Sequence, residues 1–284
     1  MPLQRTIRLQ LRRLHDIAAS NPVSPELRGW RWDSPPVKPK AYLGLGVSEV
    51  AYRYCPTYRD LYLRRRGVRP EITAQVEAGS YIHEAFHRAA RGVRGLLMRG
   101  YPPWRAAYIL LSSSRETGLS GAALELYRQL VVMWTGEAAA SQLEGREWGV
   151  GWLPWLSEYL VDGSAIGLSS RLRVDGLAEA GVVVEIKYGW TGDRHMVGLA
   201  GYALALESQL EVPIDYGILV SVRNGREGLR VSSRPVYIDD VLRTEFIDAR
   251  DEAIEVLLSG GDPGMPRECP SSCLFYSHCR GGGR

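Results

Sequence analysis

Apolar positions recur along this chain with two periods, and the change from one to the other divides it. Ile7, Leu11, Leu14 and Ile17 fall at helical spacing and predict a helix over 5–19. A proline-rich, polar stretch over 21–40 reads as an extended connector. Ser48 is the expected cap of a short helix reaching Cys55, and a second short helix over 58–66 stops at Gly67. A long helix over 73–98 closes at Gly100, ahead of Pro102 and Pro103. Two more fit 103–113 and 120–143, before a loop after Gly145 rich in Gly, Trp and Pro.

The period then turns to alternation. Residues 169–178 and 181–188 predict two strands joined by a tight turn at Glu179, Ala180 and Gly181. A helix fits 192–208, strands fit 215–222 and 229–238 about a turn at Asn224 and Gly225, and a last helix fits 239–258. The order implies an α/β (α+β) fold: a mainly helical region over 1–150, a β-β-α-β-β-α core over 151–260 and a cysteine-rich tail over 261–284.

Composition narrows the class. The 284 residues are 45% hydrophobic and 24% charged, as in an ordinary globular protein. No apolar run approaches the ~18–20 residues of a membrane span. The start, MPLQRTIRLQLRRLHD, lacks the apolar core of a signal peptide, so the expected location is the cytoplasm. A net charge of +3 says little about nucleic acid by itself. Of the 35 lysines and arginines only Lys38, Lys40 and Lys187 are lysines. Arginine enrichment is a weak mark of a hot environment. It nonetheless makes Lys187 stand out, because lysine is a compact point charge that can lose its proton and arginine cannot.

Lys187 belongs to the segment RLRVDGLAEAGVVVEIKYG. With the turn near Ala180, Asp175 and Glu185 lie opposite each other on antiparallel strands, and Lys187 shares their face. Like charges directly opposite destabilise a sheet unless solvated, protonated or bridged by a cation. Two carboxylates beside the carbonyl of Ile186 make a hard-oxygen site for Mg²⁺ or Mn²⁺. The competing reading is a pair of surface charges on a half-exposed hairpin. The run Val182–Val183–Val184 weighs against it, since it reads as a buried strand and carboxylates at its end need a reason.

In the long helix, His83 and His87 are four residues apart on one face. HEAFH matches the zinc metallopeptidase signature, with Glu84 as general base. That reading requires a third ligand on a later helix and leaves the hairpin and the cysteines unexplained. The alternatives are His83 as a third ligand of the hairpin metal, or two solvated histidines. Three of the four cysteines, Cys269, Cys273 and Cys279, cluster near the end, and Cys55 lies far upstream. Such clustering in a cytosolic chain reads as metal binding. Four thiolates suit zinc or a [4Fe–4S] cluster, and spacing alone leaves both open. Pro56 and Pro270 each follow a cysteine and restrict the local chain.

Together, Gly79–x₃–His83, Val-Asp175-Gly, Glu185-Ile-Lys187 and the helix with Tyr202 resemble the RecB-type branch of the PD-(D/E)xK nucleases. With the four cysteines added, the chain resembles the CRISPR-associated Cas-four family, in its larger archaeal branch, and the iron–sulfur nuclease domains of AddB-type helicase–nucleases. The resemblance implies a restriction-endonuclease-type core with a central mixed sheet flanked by helices. It makes His83, Asp175, Glu185 and the carbonyl of Ile186 ligands of Mg²⁺ or Mn²⁺, Lys187 the catalytic lysine, and Tyr202 the tyrosine of a Q-x-x-x-Y motif. It assigns a [4Fe–4S] cluster to Cys55, Cys269, Cys273 and Cys279. It implies a DNA exonuclease, with endonuclease action also within the family's range, on single-stranded DNA or single-stranded ends in spacer acquisition, alongside the CRISPR integrase proteins. One position departs: the motif's glutamine is Gly198 here. His195, one turn earlier, is a weak candidate to replace it. The departure keeps a non-catalytic DNA-binding or scaffold subunit as the alternative. Arg64, Arg65 and Arg66, and Arg88, Arg91, Arg94 and Arg99, are the expected phosphate contacts, if they are not simply a solvated face.

Overall fold

Five strands form one sheet, in the order β1 (Leu156–Val161), β2 (Leu172–Ala178), β3 (Val182–Tyr188), β4 (Tyr216–Gly225) and β5 (Gly228–Tyr237). This is seen in a computed structural model of the chain, which describes residues 3–143, 153–178, 181–226, 228–269 and 273–281. Neighbouring strands run antiparallel except β3 and β4, which are parallel, so the sheet is mixed. A parallel pair needs a crossover, and α7 (Asp193–Leu210) supplies it. Alternation in β3 sorts its side chains between two layers: Val183 enters one, and Val182, Val184 and Ile186 the other. The first layer is covered by α7, α8 (Asp240–Leu258) and the short helices α2 (Val47–Ala51) and α3 (Arg59–Arg65). The second is covered by α4 (Ala74–Met98), α5 (Pro103–Ser112) and α6 (Gly121–Leu143). The N-terminal helix α1 (Leu3–Ser20) lies along the edge strand β5, with Leu14 and Ala18 packed on the first layer. Among the described residues no helix is long and apolar enough to cross a membrane.

The structure departs from the expected elements at four places. Strand β1 was not expected, because its segment LSEYLV alternates poorly and Glu158 within it has left-handed backbone, φ 53°. Gly46, not Ser48, caps α2, and the Glu49 carboxylate accepts from the Gly46 N–H at 2.8 Å. The 21–40 connector is not merely extended. It contains two short 3₁₀ turns, Pro25–Leu27 and Gly29–Arg31, and buries Val23, Leu27 and Val37 in the first layer. The β4–β5 ladder continues to Gly225↔Gly228, so Asn224 lies within the strand, opposite Leu229. Ala180, Glu179, Pro270 and the loop over 144–152 lie outside the described residues.

The connector is held by buried charge. Glu207, wholly buried on α7, accepts from Arg28 Nη1 at 2.9 Å and from both terminal nitrogens of buried Arg243 at 2.8 and 2.9 Å. It also accepts from the backbone N–H groups of Gly29, at 2.8 Å, and Ile214, at 2.9 Å. Gly29 is needed there, since a Cβ would stand 2.1 Å from the carbonyl oxygen of Leu204. Every lone pair of the carboxylate is used, which is what a buried charge requires. Removing it leaves the wholly buried Arg243 with Asp215, at 3.2 Å, as its remaining carboxylate partner. We therefore expect Glu207→Ala to lose about 3–5 kcal/mol in urea unfolding, with a loss below ~1 kcal/mol contradicting this account.

Candidate active site

The sheet opens where three carboxylates meet. The β1–β2 register places Ser157 opposite Gly176 and Tyr159 opposite Val174, so Glu158 faces Asp175. The β2–β3 register ends at Gly176↔Val184, so the next position sets Asp175 against Glu185. Glu158, Asp175 and Glu185 thus form a row across three strands, and neither ladder is closed at that row. Like charges directly opposite disfavour pairing. The Asp175 carboxylate itself fills part of the gap: its Oδ2 accepts from the freed Ile186 N–H at 2.7 Å.

Other elements deliver partners into the opening. The long helix α4, capped by the Thr73 side chain on the Val76 N–H, carries His83, whose Nδ1 lies 3.2 Å from Asp175 Oδ1. His83, Glu158 and Asp175 each offer a ligand atom within 4.8 Å of the others. Glu185 is 2% exposed. Its Oε1 receives the Lys187 ammonium and the Tyr52 hydroxyl, while its Oε2 is buried with no hydrogen-bond partner. Burial pushes the Glu185 carboxyl up, with Lys187 opposing and Asp175 adding to the shift. Burial works against the charge on Lys187, but Glu185 and Asp175 outweigh it, so the ammonium is held above its usual range. His83 behaves alike: burial lowers it, and the hydrogen bond and charge of Asp175 raise it further. Burial first, then the charges of Glu185, Asp175 and Glu158, hold the Tyr202 phenol well above its usual range.

The HEAFH motif is dispersed. His87 Nδ1 is 3.0 Å from Ser157 Oγ, and Glu84 pairs with Arg88 one turn on. His83 alone of the three turns to the carboxylates, so the peptidase reading has no site among the described residues. Most of the arginines expected on DNA also make contacts within the protein, though all but the half-buried Arg94 are exposed. Arg94 donates to Pro154 O at 3.0 Å, Arg66 to Gly260 O at 3.3 Å, and Arg65 to Leu43 O. Arg99 donates to Gly95 O, Arg88 also reaches Thr117 O, and Arg64 stacks on Phe275. Arg91 is exposed.

Two residues of the site were missed. Glu158 was hidden in an unrecognised edge strand. Tyr52 had no periodic signal, because it follows α2 on a loop with left-handed Arg53 and Tyr58, φ 47° and 55°. Tyr52 explains Gly198. A Cβ at Gly198 would stand 2.9 Å from Tyr52 Cε1. The ring therefore occupies the space a longer residue would take, facing the Lys187 ammonium at 4.9 Å and the His195 ring at 4.8 Å. His195 is no substitute for the glutamine; its Nδ1 accepts from Gly192 N–H at 2.9 Å and caps α7.

The same loop carries Cys55, which is buried; Cys269, Cys273 and Cys279 are half-buried on the tail. The tail is fastened to the α3 region. Thr57 Oγ1 donates to Gly264 O at 2.8 Å, Glu71 N–H to Leu274 O at 2.8 Å, and Arg59 pairs with Asp262 at 2.7 Å. Arg59 also donates to Cys279 Sγ at 3.4 Å. Burial raises the Cys273 thiol, and the neighbouring Cys269 and Cys55 add to the shift. No three of the four sulfurs gather within 4.8 Å among the described residues.

A family model described as "CRISPR-associated exonuclease Csa1" matches residues 1–283. The chain belongs to this family. A protein of that description from Thermoproteus tenax is 41% identical over 268 residues, covering 91% of this chain and 92% of its own. Another, from Saccharolobus solfataricus, is 34% identical over 281 residues, covering 90% and 92%. A solved structure described as "Crystal structure of SSO0001" aligns over 63% of this chain and 81% of that one, at 16% identity and a TM-score of 0.28.

The Tyr52–Gly198 contact predicts coupling. Gly198→Ala should cost about 1–3 kcal/mol through overpacking. The cost should shrink in a Tyr52→Ala background, giving a non-zero double-mutant interaction in denaturant titrations.

Proposed function

We propose that this protein is a Mg²⁺- or Mn²⁺-dependent DNA exonuclease of a CRISPR system, working through a RecB-like PD-(D/E)xK centre. The observation that carries the reading is the buried Glu185, with one oxygen lacking a partner, at the fork where Asp175 and Glu158 converge with His83. Such a carboxylate is costly to bury unless something cationic completes it. Oxygen donors with one imidazole suit a hard divalent ion. The ligands proposed are His83, Asp175, Glu185 and the Ile186 carbonyl, with Glu158 joining them. Such an ion supplies an activated water and charge stabilisation for phosphodiester hydrolysis. Around it, Lys187, held as an ammonium, neutralises charge developing on the phosphate. Tyr52 holds the Glu185 carboxylate in place and shields it from water, a positioning role that offsets the missing glutamine. Tyr202, a neutral phenol at this depth, closes the floor of the site.

The four cysteines are proposed to hold a [4Fe–4S] cluster. Thiolates on one zinc stand roughly 3.8 Å apart, as follows from a Zn–S bond of about 2.3 Å in a tetrahedron. The preference for the cluster over zinc rests on the resemblance to the iron–sulfur nucleases. The substrate proposed is DNA that is single-stranded or has single-stranded ends, and the partners are the integrase proteins of spacer acquisition, in the cytoplasm.

Labelled DNA should be degraded with Mn²⁺ and not with EDTA, and Asp175→Ala or Lys187→Ala should abolish it. Mutants that cut like the parent would overturn the site assignment. A parent that binds DNA and never cuts would favour a scaffold subunit. Protein purified without oxygen should be brown and lose its colour on Cys279→Ala. A colourless, zinc-loaded protein would exclude the cluster.

A further inference from the structure

Beside the carboxylates lies an open groove of about 930 Å³ that plays no part in the site described so far. Its walls are the first turns of α4, with Gln75, the end of β3, with Tyr188, and Trp190, Arg223, Arg226 and Arg230. We propose that this groove binds the single-stranded DNA that enters the active site, with Trp190 as a stacking platform for an unpaired base; the proposal rests on the nuclease reading above.

Trp190 is 82% exposed, although burying an indole is strongly favourable. Its place is fixed nonetheless. Gly189, at φ 116°, donates its N–H to Val222 O at 2.8 Å and accepts from Ser221 Oγ at 2.6 Å. Tyr188 OH accepts from Asn224 Nδ2 at 3.0 Å. The Arg223 guanidinium lies 4.1 Å from the centre of the indole and covers one face. The other face is left to a ligand. A flat π surface backed by a cation suits a base, and the lining contains three arginines and no carboxylate among the described residues. Bases within a duplex have both faces covered, so the platform selects unpaired ones.

The groove and the carboxylate fork share two elements, α4 and β3. Tyr188 follows Lys187, and Ala78 on the α4 wall is five residues before His83, a rise of about 7.5 Å along the helix. A single strand lying in the groove would have about this distance to cover along α4 to the carboxylate fork.

The test is anisotropy of a labelled oligodeoxythymidine with the full-length protein in EDTA. Trp190→Ala should weaken binding roughly tenfold, within the range of one lost stacking interaction, and Trp190→Phe should restore most of it. Arg226→Ala and Arg230→Ala should each lower the slope of log affinity against log salt by about 0.7. Blunt duplex binding and Mn²⁺ affinity should not change on Trp190→Ala, which separates a lost platform from a damaged fold. Equal binding by parent and Trp190→Ala, or tighter binding of an oligoribonucleotide, would overturn the proposal. If the parent still cuts DNA in that case, the nuclease reading stands and only the groove falls. If the parent neither binds nor cuts DNA, both fall.

Discussion

A buried carboxylate with one oxygen left unpartnered governs this structure. Glu185 ends a run of buried valines, and its position is fixed by the β3–β4 ladder on one side and the lapsed β2–β3 ladder on the other. In a closed sheet, Glu158, Asp175 and Glu185 would repel one another across three strands. The sheet yields at that row. Glu158 leaves the ladder with left-handed backbone, and Asp175 accepts a main-chain N–H that would otherwise pair with β2. The opening admits α4 with His83 from one layer and Tyr52 from the other. The site is thus a local failure of sheet pairing that the neighbouring elements fill.

The loop that brings Tyr52 also brings Cys55. Two non-glycine residues there sit at positive φ, a conformation that costs of order 1–3 kcal/mol each and persists only where the surroundings enforce it. The enforcement is visible. Tyr58 OH donates to Ala249 O at 3.1 Å on α8, and Arg53 lies 5.1 Å from the centre of the Tyr58 ring while pairing with Glu252. Past Cys55, Thr57 and Arg59 fasten the tail. One short segment therefore spans from the carboxylate fork to the thiol group, so loosening the tail would relax the loop that positions Tyr52.

The long elements were legible because their periodicity is strong: α4, α6, α7 and α8 fall within two residues of the ranges read from spacing, and β3 announced itself by three valines. Asp175, Glu185 and Lys187 were legible as a hairpin pattern, and the register does set the two carboxylates opposite. The pattern could not reveal that the ladder stops there, because that depends on Glu158, from a strand whose half-exposed residues carry no clear alternation. The buried arginines carried no sequence signal for a related reason. Arg28, Arg243 and Arg250 are more than two hundred residues apart at the extremes, and only the fold shows that Arg250 donates to Val37 O at 2.7 Å rather than to solvent. In a chain that uses arginine almost everywhere, residue type says little about which arginines are structural.

Gly198 shows how a departure from a motif is to be weighed. Taken alone, glycine where the resemblance places a glutamine suggests a disabled enzyme. The structure ties the loss to a gain: the missing Cβ is what allows the Tyr52 ring to approach to 2.9 Å of where it would be, and that ring carries a hydroxyl onto Glu185 and a π face toward Lys187. The substitution at one helix position and the tyrosine on a distant loop are therefore one device, and competence has to be judged on the pair.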